Sequence, residues 1–280
     1  MKIVDKILAL IRDTSSSLPE DVEKAILAAM RREEKHSSAK MILKTILENC
    51  ELARRNSTPL CQDTGTLTFF VDSRLRNKVN RKVISEATRL ATAKGYLRKN
   101  CIDSVDGKSY DDNVAEGAPV IHYVESESKD SKPTVTLIMK GGGSENMSRQ
   151  YSLPDSALGA GRDLKGVEKC ILDAVVKTQG YGCAPGILGV CIGGDRATGY
   201  ETAKEQLLRN LSDSSKDSCL AKMEKAILKK ANSLGIGPMG LGGKTTLLGV
   251  KIASRPRVPA SFFVTIAYMC WAARRRTVVI

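Results

Sequence analysis

Four segments of the chain combine reactive side chains with the glycine and proline residues that interrupt regular structure. They are residues 59–65, 140–146, 182–186 and 235–246. Functional groups concentrate on such loops because a rigid scaffold can hold them at the edge of a cleft. Glycine-rich backbone can also turn consecutive N–H groups toward an anion. These segments are therefore the first candidates for a binding or catalytic site.

The eight cysteines differ in their surroundings, and no two of them form a CxxC pair. Cys61 and Cys183 lie at turns bounded by glycine and proline, and Cys270 ends a predicted strand just before the arginines of residues 274–276. Cations near a thiol favour the thiolate, which is the nucleophilic and metal-binding form. Four further thiols in predicted helices or strands are expected to be core residues: Cys50, Cys170, Cys191 and Cys219. The residues alone leave core packing, nucleophilic attack and metal binding open for the loop-edge thiols, and they leave Cys101 unassigned.

One glycine-rich segment carries a partial phosphate-binding pattern, Gly243-Lys244-Thr245. A P-loop needs a further glycine upstream, at the position that Pro238 occupies here. It also needs a helix after the threonine, whereas residues 245–253 have the composition of a strand. We therefore exclude nucleotide binding at this segment.

Helical spacing of apolar residues dominates the first part of the chain, and strands and helices are mixed in the rest. The predicted helices are residues 2–11, 19–34, 37–55, 74–97, 162–178, 198–211 and 218–234. The predicted strands are residues 66–71, 118–124, 134–139, 187–192, 245–253 and 261–268. This pattern predicts an α+β fold in which mixed sheets pack with helices. We expect one domain over residues 1–280, helical to about residue 60 and mixed α/β from about residue 61.

The composition is that of a basic globular protein, with 44 Lys and Arg, 31 Asp and Glu, a net charge of +13 and 42% hydrophobic residues. Nucleic-acid binding is one explanation, but only 4% of the residues are aromatic and the charge is spread along the chain. An acidic partner or an anionic substrate explains the charge better. No apolar run approaches the roughly 20 residues that cross a bilayer, and residues 1–13 do not resemble a secretory signal. We therefore expect a cytoplasmic protein with reduced cysteines.

The reactive segments resemble, in their order along the chain, the α subunit of two-subunit class I iron–sulfur fumarate hydratases and the related L-tartrate dehydratases. The matching segments are residues 59–66, 97–99, 119–122, 140–147, 183–194, 235–250, 259–261 and 270–275. The resemblance implies the fold of that α domain, a [4Fe–4S] cluster held by Cys61, Cys183 and Cys270, and a separate β subunit in a hetero-oligomer. Three thiolate ligands leave one iron with an open position, where it can act as a Lewis acid on a leaving hydroxide.

The same resemblance implies roles for individual side chains. Asp63 corresponds to the family's proposed base, which removes a proton from the carbon next to a carboxylate. Gln62 and Arg98 correspond to residues that bind a substrate carboxylate, which a planar guanidinium can clamp with two hydrogen bonds. The remaining substrate-binding residues that the resemblance implies are Gly142, Gly143 and Ser144. Without the resemblance, Asp63 could merely cap its turn and Arg98 could be an exposed charge at a helix end.

Two segments on the substrate side depart from the family pattern. Relatives usually carry a histidine within residues 257–261, where this chain has Val258, and they carry a stretch richer in Thr, Asp and Asn at residues 113–119. We expect His122 to be a hydrogen-bonded strand residue and not a replacement for the lost imidazole. The resemblance thus implies a hydro-lyase for a small dicarboxylate, with fumarate/malate as the first expectation. An L-tartrate dehydratase α subunit, or a diverged member with another substrate or no catalysis, is the alternative.

Overall fold

The computed structural model describes residues 2–125 and 130–280 and contains both helices and mixed sheets. The helices there are α1 Ile3–Ser16, α2 Glu20–Arg32, α3 Ser38–Asn56, α4 Arg81–Ala93, α5 Gly142–Asn146, α6 Leu164–Thr178, α7 Arg196–Gln206 and α8 Ser218–Ser233. The strands are β1 Thr66–Asp72, β2 Cys101–Ile102, β3 Ser109–Tyr110, β4 Val120–Val124, β5 Thr134–Lys140, β6 Arg149–Ser152, β7 Gly186–Gly193, β8 Leu247–Arg255, β9 Phe263–Met269 and β10 Arg274–Val279. The predicted α+β fold is confirmed. Within the described ranges, no helix is both long and apolar enough to cross a membrane.

The described residues form two compact units. The first unit comprises the described residues of Met1–Pro19, Glu48–Gly142 and Ala272–Ile280. The second unit comprises Glu20–Leu47 and Gly143–Trp271. The single domain expected over residues 1–280 stays a prediction, since compact units of this size can belong to one domain or to two.

The first unit is built on a four-stranded sheet with the order β10-β5-β1-β4. Strand β5 is antiparallel to both β10 and β1, whereas β1 and β4 run parallel. Helices α1 and α4 pack against each other, and α1 also packs on β5 and β10. Their apolar faces enclose a core whose fully buried members include Ile7, Phe69, Ile84 and Leu137. This core supports the turn that precedes β1.

The second unit is built on a four-stranded sheet with the order β6-β9-β7-β8. Strand β7 is parallel to β8 and antiparallel to β9, and all of its residues are buried. An apolar run of this kind is typical of a strand that is covered on both faces. Helix α7 packs on β7, β8 and β9, while α6 and α8 pack on β9 and β8 respectively. The ends of β7 and β9 are thereby held in a rigid scaffold.

Four helices begin at an Asn or Asp whose side chain accepts hydrogen bonds from the first turn. These caps are Asn80 for α4, Asp163 for α6, Asp195 for α7 and Asp217 for α8. Each cap satisfies backbone N–H groups that have no partner within the helix. The caps explain why these helices begin where they do.

The predicted helix over residues 74–97 is wrong at its start. The chain there forms a short 3-10 helix, Ser73–Leu75, and α4 begins only at Arg81, because Asn80 accepts a hydrogen bond from Val83 N at 3.2 Å. The last strand, β10, was not predicted, since three consecutive arginines are untypical of a buried strand. Arg274 and Arg275 are nevertheless both buried.

The predicted core cysteines are confirmed at three positions and wrong at one. Cys50, Cys170 and Cys191 are buried, and burial is the main cause that raises the pKa of Cys170 to about 11. Cys219 is exposed, because it occupies the first turn of α8 beside the Asp217 cap. Its helical context alone did not reveal which face of the helix it occupies.

The cap of α6 yields a stability prediction. Asp163 Oδ1 accepts the Gly166 N–H at 2.7 Å, so Asp163→Ala should lower the free energy of unfolding by about 1 kcal/mol. Asp163→Asn should stay close to the parent, because asparagine caps helices equally well. Urea unfolding followed by circular dichroism measures both variants. Equal midpoints for the alanine variant and the parent would show that this cap does not stabilise the protein.

Candidate active site

A tight turn before β1 carries three of the predicted site residues. Asp63 N approaches Cys61 Sγ at 3.4 Å, so the backbone folds back on the thiol. Cys61 and Asp63 are half-buried, and the Gln62 side chain is exposed. The turn thus presents the thiol and the carboxylate at the edge of the first unit's core.

The Asp63 carboxylate lies between an amide and a glycine backbone. Asn100 Nδ2 donates to Asp63 Oδ1 at 3.3 Å. On the other side, a Cβ atom added to Gly141 would lie only 2.8 Å from Asp63 Oδ2. Position 141 therefore requires glycine if the carboxylate is to keep this place. The arrangement orients Asp63 without pairing it with a cation.

A cavity of about 380 Å³ opens beside Asp63. Its volume is within the range of small-molecule sites, roughly 300–1,000 Å³. The lining residues are Asp63, Gly65, Thr66, Leu67, Asn100, Cys101, Asn113, Ala118, Pro119 and Gly142. Two predicted site residues, Asp63 and Gly142, therefore line one cavity, and they do so together with amide groups that the sequence analysis did not single out. Cys101 also lines it, but burial and the nearby Asp112 raise the pKa of that thiol, which disfavours a nucleophilic role.

Two buried polar side chains fix the loop that carries Arg98 and Asn100. Thr64 Oγ1 accepts the Arg98 N–H at 2.9 Å and donates to the Arg98 carbonyl oxygen at 3.0 Å. Asn113 Oδ1 accepts the N–H groups of Asn100 and Cys101 at 2.9 and 3.2 Å, and Asn113 Nδ2 donates to the Arg98 carbonyl oxygen at 2.9 Å. The Arg98 side chain is exposed. The positive φ of Asn113, 60°, suits asparagine better than most residues. These hydrogen bonds form the Thr64 clamp and the Asn113 clamp, and the sequence predicted neither of them.

In the second unit, hydrogen bonds join the chain segments that carry Cys183 and Cys270. Trp271 N donates to the Cys183 carbonyl oxygen at 3.3 Å. Cys270 N donates to Ser144 Oγ at 3.1 Å, so the predicted substrate residue Ser144 supports the cysteine backbone here. Gly143, its neighbour, is exposed. The structure thus brings Cys183, Cys270 and Ser144 into one backbone network.

The Cys183 turn has a strained backbone and a close aromatic neighbour. Cys183 has a φ of 51° and is exposed. Strained non-glycine residues of this kind cluster at functional sites. The Tyr268 ring packs so tightly that a Cβ atom on Gly186 would lie 2.3 Å from its hydroxyl oxygen. Burial raises the pKa of Tyr268, and the nearby Cys270 and Cys183 thiols act in the same direction.

The loop-edge thiols have the chemistry that an iron–sulfur cluster requires. Cys61, Cys183 and Cys270 form no disulfide within the described residues, and their side chains are half-buried or exposed. Soft thiolates are the preferred ligands of such clusters. Buried positive charge lies beside one of them, because Arg274 Nη2 donates to the Asp63 carbonyl oxygen at 2.9 Å. Within residues 2–125 and 130–280, no group of three or more His, Cys, Asp or Glu side chains is arranged to hold a single metal ion. The donor set and the nearby cation fit an anionic thiolate cluster.

Val258 and His122 lie in different structural settings. The Val258 side chain is 63% exposed, on a loop whose carbonyl oxygens at Val258, Pro259 and Ser261 accept hydrogen bonds from Arg257. His122 lies in β4, where its ring stacks on Phe70 at 5.2 Å between ring centres. The expectation of a strand histidine therefore agrees with its position in the sheet.

Comparison with known proteins identifies relatives along almost the whole chain. The family model for fumarate hydratase (fumerase) matches residues 4–279. A Geobacillus stearothermophilus protein assigned by name as a class I fumarate hydratase is 48% identical over 279 residues, which cover 98% of this chain and 54% of that protein. The protein named as an L(+)-tartrate dehydratase subunit alpha in Methanocaldococcus jannaschii is 35% identical over 98% of this chain and 96% of its own length. The Escherichia coli K12 protein of the same name, L(+)-tartrate dehydratase subunit alpha, is 28% identical over 100% of this chain and 90% of its own length. The chain thus spans about half of the first relative and nearly all of the other two.

The Asn113 clamp yields the prediction for this site. Asn113→Ala should lower the free energy of unfolding by about 2–4 kcal/mol, since each intramolecular hydrogen bond contributes about 0.5–1.5 kcal/mol. Asn100→Ala removes only the exposed contact to Asp63 and should stay within about 0.5 kcal/mol of the parent. Urea unfolding compares the variants. If both variants unfold at the same urea concentration, Asn113 does not fix the loop.

Proposed function

The chain belongs to the fumarate hydratase (fumerase) family, and on that premise we propose that it is the α part of an iron–sulfur hydro-lyase for a small dicarboxylate. One structural observation carries the proposal: Asp63, two residues after the candidate cluster ligand Cys61, lines a cavity of about 380 Å³. A carboxylate in that place, held by an amide and free of a salt bridge in the described chain, can exchange a proton with a small substrate. We propose fumarate and malate as the substrate pair.

The proposed cofactor is a [4Fe–4S] cluster with Cys61, Cys183 and Cys270 as its ligands. Family membership and the position of the three thiols at loop edges support this ligand set. When bound, a cluster with three thiolate ligands supplies an iron with an open position, which acts as a Lewis acid on the hydroxyl group that leaves. A cluster of this kind and eight cysteines that form no disulfide within the described residues suit a reducing compartment such as the cytoplasm.

The proposed chemistry assigns the proton transfer to Asp63. In the dehydration direction, the Asp63 carboxylate takes the proton from the carbon next to a substrate carboxylate, while hydroxide leaves the neighbouring carbon. In the hydration direction, Asp63 returns that proton as hydroxide adds to the double bond. Asn100 orients the carboxylate through its amide N–H, 3.3 Å from Oδ1. Water is thereby removed or added without any other change in the substrate.

Binding of the substrate is proposed to rest on charge and on backbone N–H groups. Arg98 can clamp a carboxylate with two hydrogen bonds, and Gln62 can donate a further one through its amide. The glycine-rich stretch is proposed to add Gly142, Gly143 and Ser144. The exposed side chains of Gln62 and Arg98 are free to turn toward a ligand. A dianionic substrate also suits the net charge of +13.

We further propose that the chain works with a β subunit in a hetero-oligomer. Two relatives matched over 96% and 90% of their lengths are named as alpha subunits, which supports a partner of the β type. The Geobacillus relative has nearly half of its length outside the match. A β-type region would supply the remaining contacts to the substrate.

L-Tartrate is the second candidate substrate, because two relatives are named as L(+)-tartrate dehydratase alpha subunits. Val258 stands where the family resemblance implies a histidine, which favours the further alternative of a diverged member with another substrate or no catalysis. The tartrate dehydratase relatives are 35% and 28% identical, against 48% for the fumarate hydratase relative. The ratio of kcat/KM for fumarate to that for L-tartrate decides between them. A non-catalytic member would turn over neither compound.

The ligand assignment predicts the outcome of anaerobic reconstitution. The parent chain should take up about four irons and become brown, as a [4Fe–4S] cluster requires. Cys61→Ala, Cys183→Ala and Cys270→Ala should each bind less iron, because a thiolate ligand is lost. Cys219→Ala is the matched control, since Cys219 is exposed but not a proposed ligand, and it should load like the parent. A ligand variant that keeps full iron content and the parent spectrum would remove that residue from the set.

The base assignment predicts a separation of cluster loading from activity. Asp63→Asn keeps the shape of the side chain but cannot accept the proton, so the loaded complex with the β subunit should lose about 10²–10⁴-fold in kcat. Iron content should be unchanged. Asp111→Asn is the control, since Asp111 is exposed and its ion pair within the described residues is with Lys99, at 3.3 Å. An Asp63→Asn complex with more than about half of the parent rate would show that another residue is the base.

A further inference from the structure

Arg274 is the largest fully buried side chain in the described part of the protein, with 1% of its surface exposed. It lies at the start of β10, paired in the sheet with Met139. Its Nη2 donates to the Asp63 carbonyl oxygen at 2.9 Å. Its Nε and Nη1 are buried and have no hydrogen-bond partner. A guanidinium with five N–H donors is therefore largely unsatisfied in this place.

A half-buried arginine, Arg209, shows how the fold compensates a guanidinium charge elsewhere. In the second unit, Arg209 Nη1 lies 2.9 Å from Glu224 Oε1 and its Nη2 lies 2.8 Å from Asp213 Oδ1. Arg274 is more deeply buried, yet no carboxylate within the described ranges forms an ion pair with it. An uncompensated buried charge is strongly destabilising. The position of Arg274 therefore needs a reason other than stability of the fold.

Two contacts connect Arg274 with the Cys61 thiol. The guanidinium holds the carbonyl oxygen of Asp63, and the N–H of the same residue lies 3.4 Å from Cys61 Sγ. Arg274 thus fixes the backbone that points a donor at the sulfur. Its positive charge also lies at the turn where a thiolate would form, in surroundings of low dielectric constant.

We propose that Arg274 is the buried counter-charge and positioning residue of the iron–sulfur cluster, an inference that rests on the proposed function. A [4Fe–4S] core with three thiolates is anionic, and its stability and reduction potential depend on net charge and on hydrogen bonds to sulfur. Arg274 supplies both effects, the charge directly and the hydrogen bond through the Asp63 backbone. The cluster in turn compensates a cation that has no other counter-charge in the described chain.

The test compares the iron-free and cluster-loaded full chain in the parent, Arg274→Met and Arg274→Lys. In the iron-free protein, Arg274→Met should unfold at the same or a higher urea concentration than the parent, because replacing an unpaired buried charge by an apolar group is neutral or stabilising. In the loaded protein, the same variant should release iron to a chelator at least about tenfold faster, as is typical of residues that support metal ligands. Its cluster should also have a lower reduction potential. Arg274→Lys keeps the charge but not the planar donor. Its rate of iron release should therefore lie between those of the parent and Arg274→Met.

Arg276→Met is the matched control, since Arg276 lies on the same strand with a buried Nε that has no hydrogen-bond partner, but within the described residues it forms no hydrogen bond with the Cys61 turn. It should release iron like the parent. A purely structural role for Arg274 would destabilise the iron-free and loaded forms equally, and that result overturns the inference, as does parent-like iron release in Arg274→Met. If Arg274→Met does not fold, equal destabilisation of both forms in Arg274→Lys overturns it in the same way. A parent chain that takes up no cluster overturns the proposed function itself, and the inference with it.

Discussion

The clamp formed by Thr64 and Asn113 is the interaction on which the first unit's candidate site depends. Thr64 bonds both backbone groups of Arg98, and Asn113 bonds the backbone from Arg98 to Cys101. These bonds hold the loop of Arg98 and Asn100 against the turn that carries Cys61 and Asp63. Buried polar groups of this kind stabilise a structure only when their partners are in place. The clamp therefore fixes one arrangement of the cavity beside Asp63.

In each unit, a glycine allows another side chain to pack closely beside a candidate site residue. Gly141 approaches the Asp63 carboxylate so closely that any side chain there would displace it. Gly186 allows the Tyr268 ring to pack beneath the Cys183 turn in the same way. Close packing at these two glycines thus constrains the loops that carry Asp63 and Cys183. Such preorganisation is what a base or a metal ligand needs in order to act without rearrangement.

The sequence predicted the regular elements well wherever apolar periodicity was strong, as in α1 and β7, and it predicted the α+β class. It failed where tertiary contacts override local preference. Strand β10 was not predicted because it begins with three arginines. Arg274 is buried in contact with Asp63, a residue that is distant in the sequence. Cys219 could not be placed on the correct face of α8 from its helical context. Among the candidate site residues, the loop-edge thiols and Asp63 were proposed from their loop context and from the resemblance, and their roles stay predictions, whereas Asn113 was not proposed. Its role depends on a positive φ angle and on hydrogen bonds to residues distant in the sequence, which no local sequence pattern indicates.

The proposed activity unites these features: a thiolate cluster, a carboxylate base beside a small cavity, and a basic protein suited to a dianionic substrate. Turnover tests this claim most directly. The anaerobically reconstituted chain, combined with a β-type partner and with iron content measured, should convert fumarate to malate, and removal of the iron should abolish the conversion. A fully loaded complex that converts neither fumarate nor L-tartrate would contradict the account.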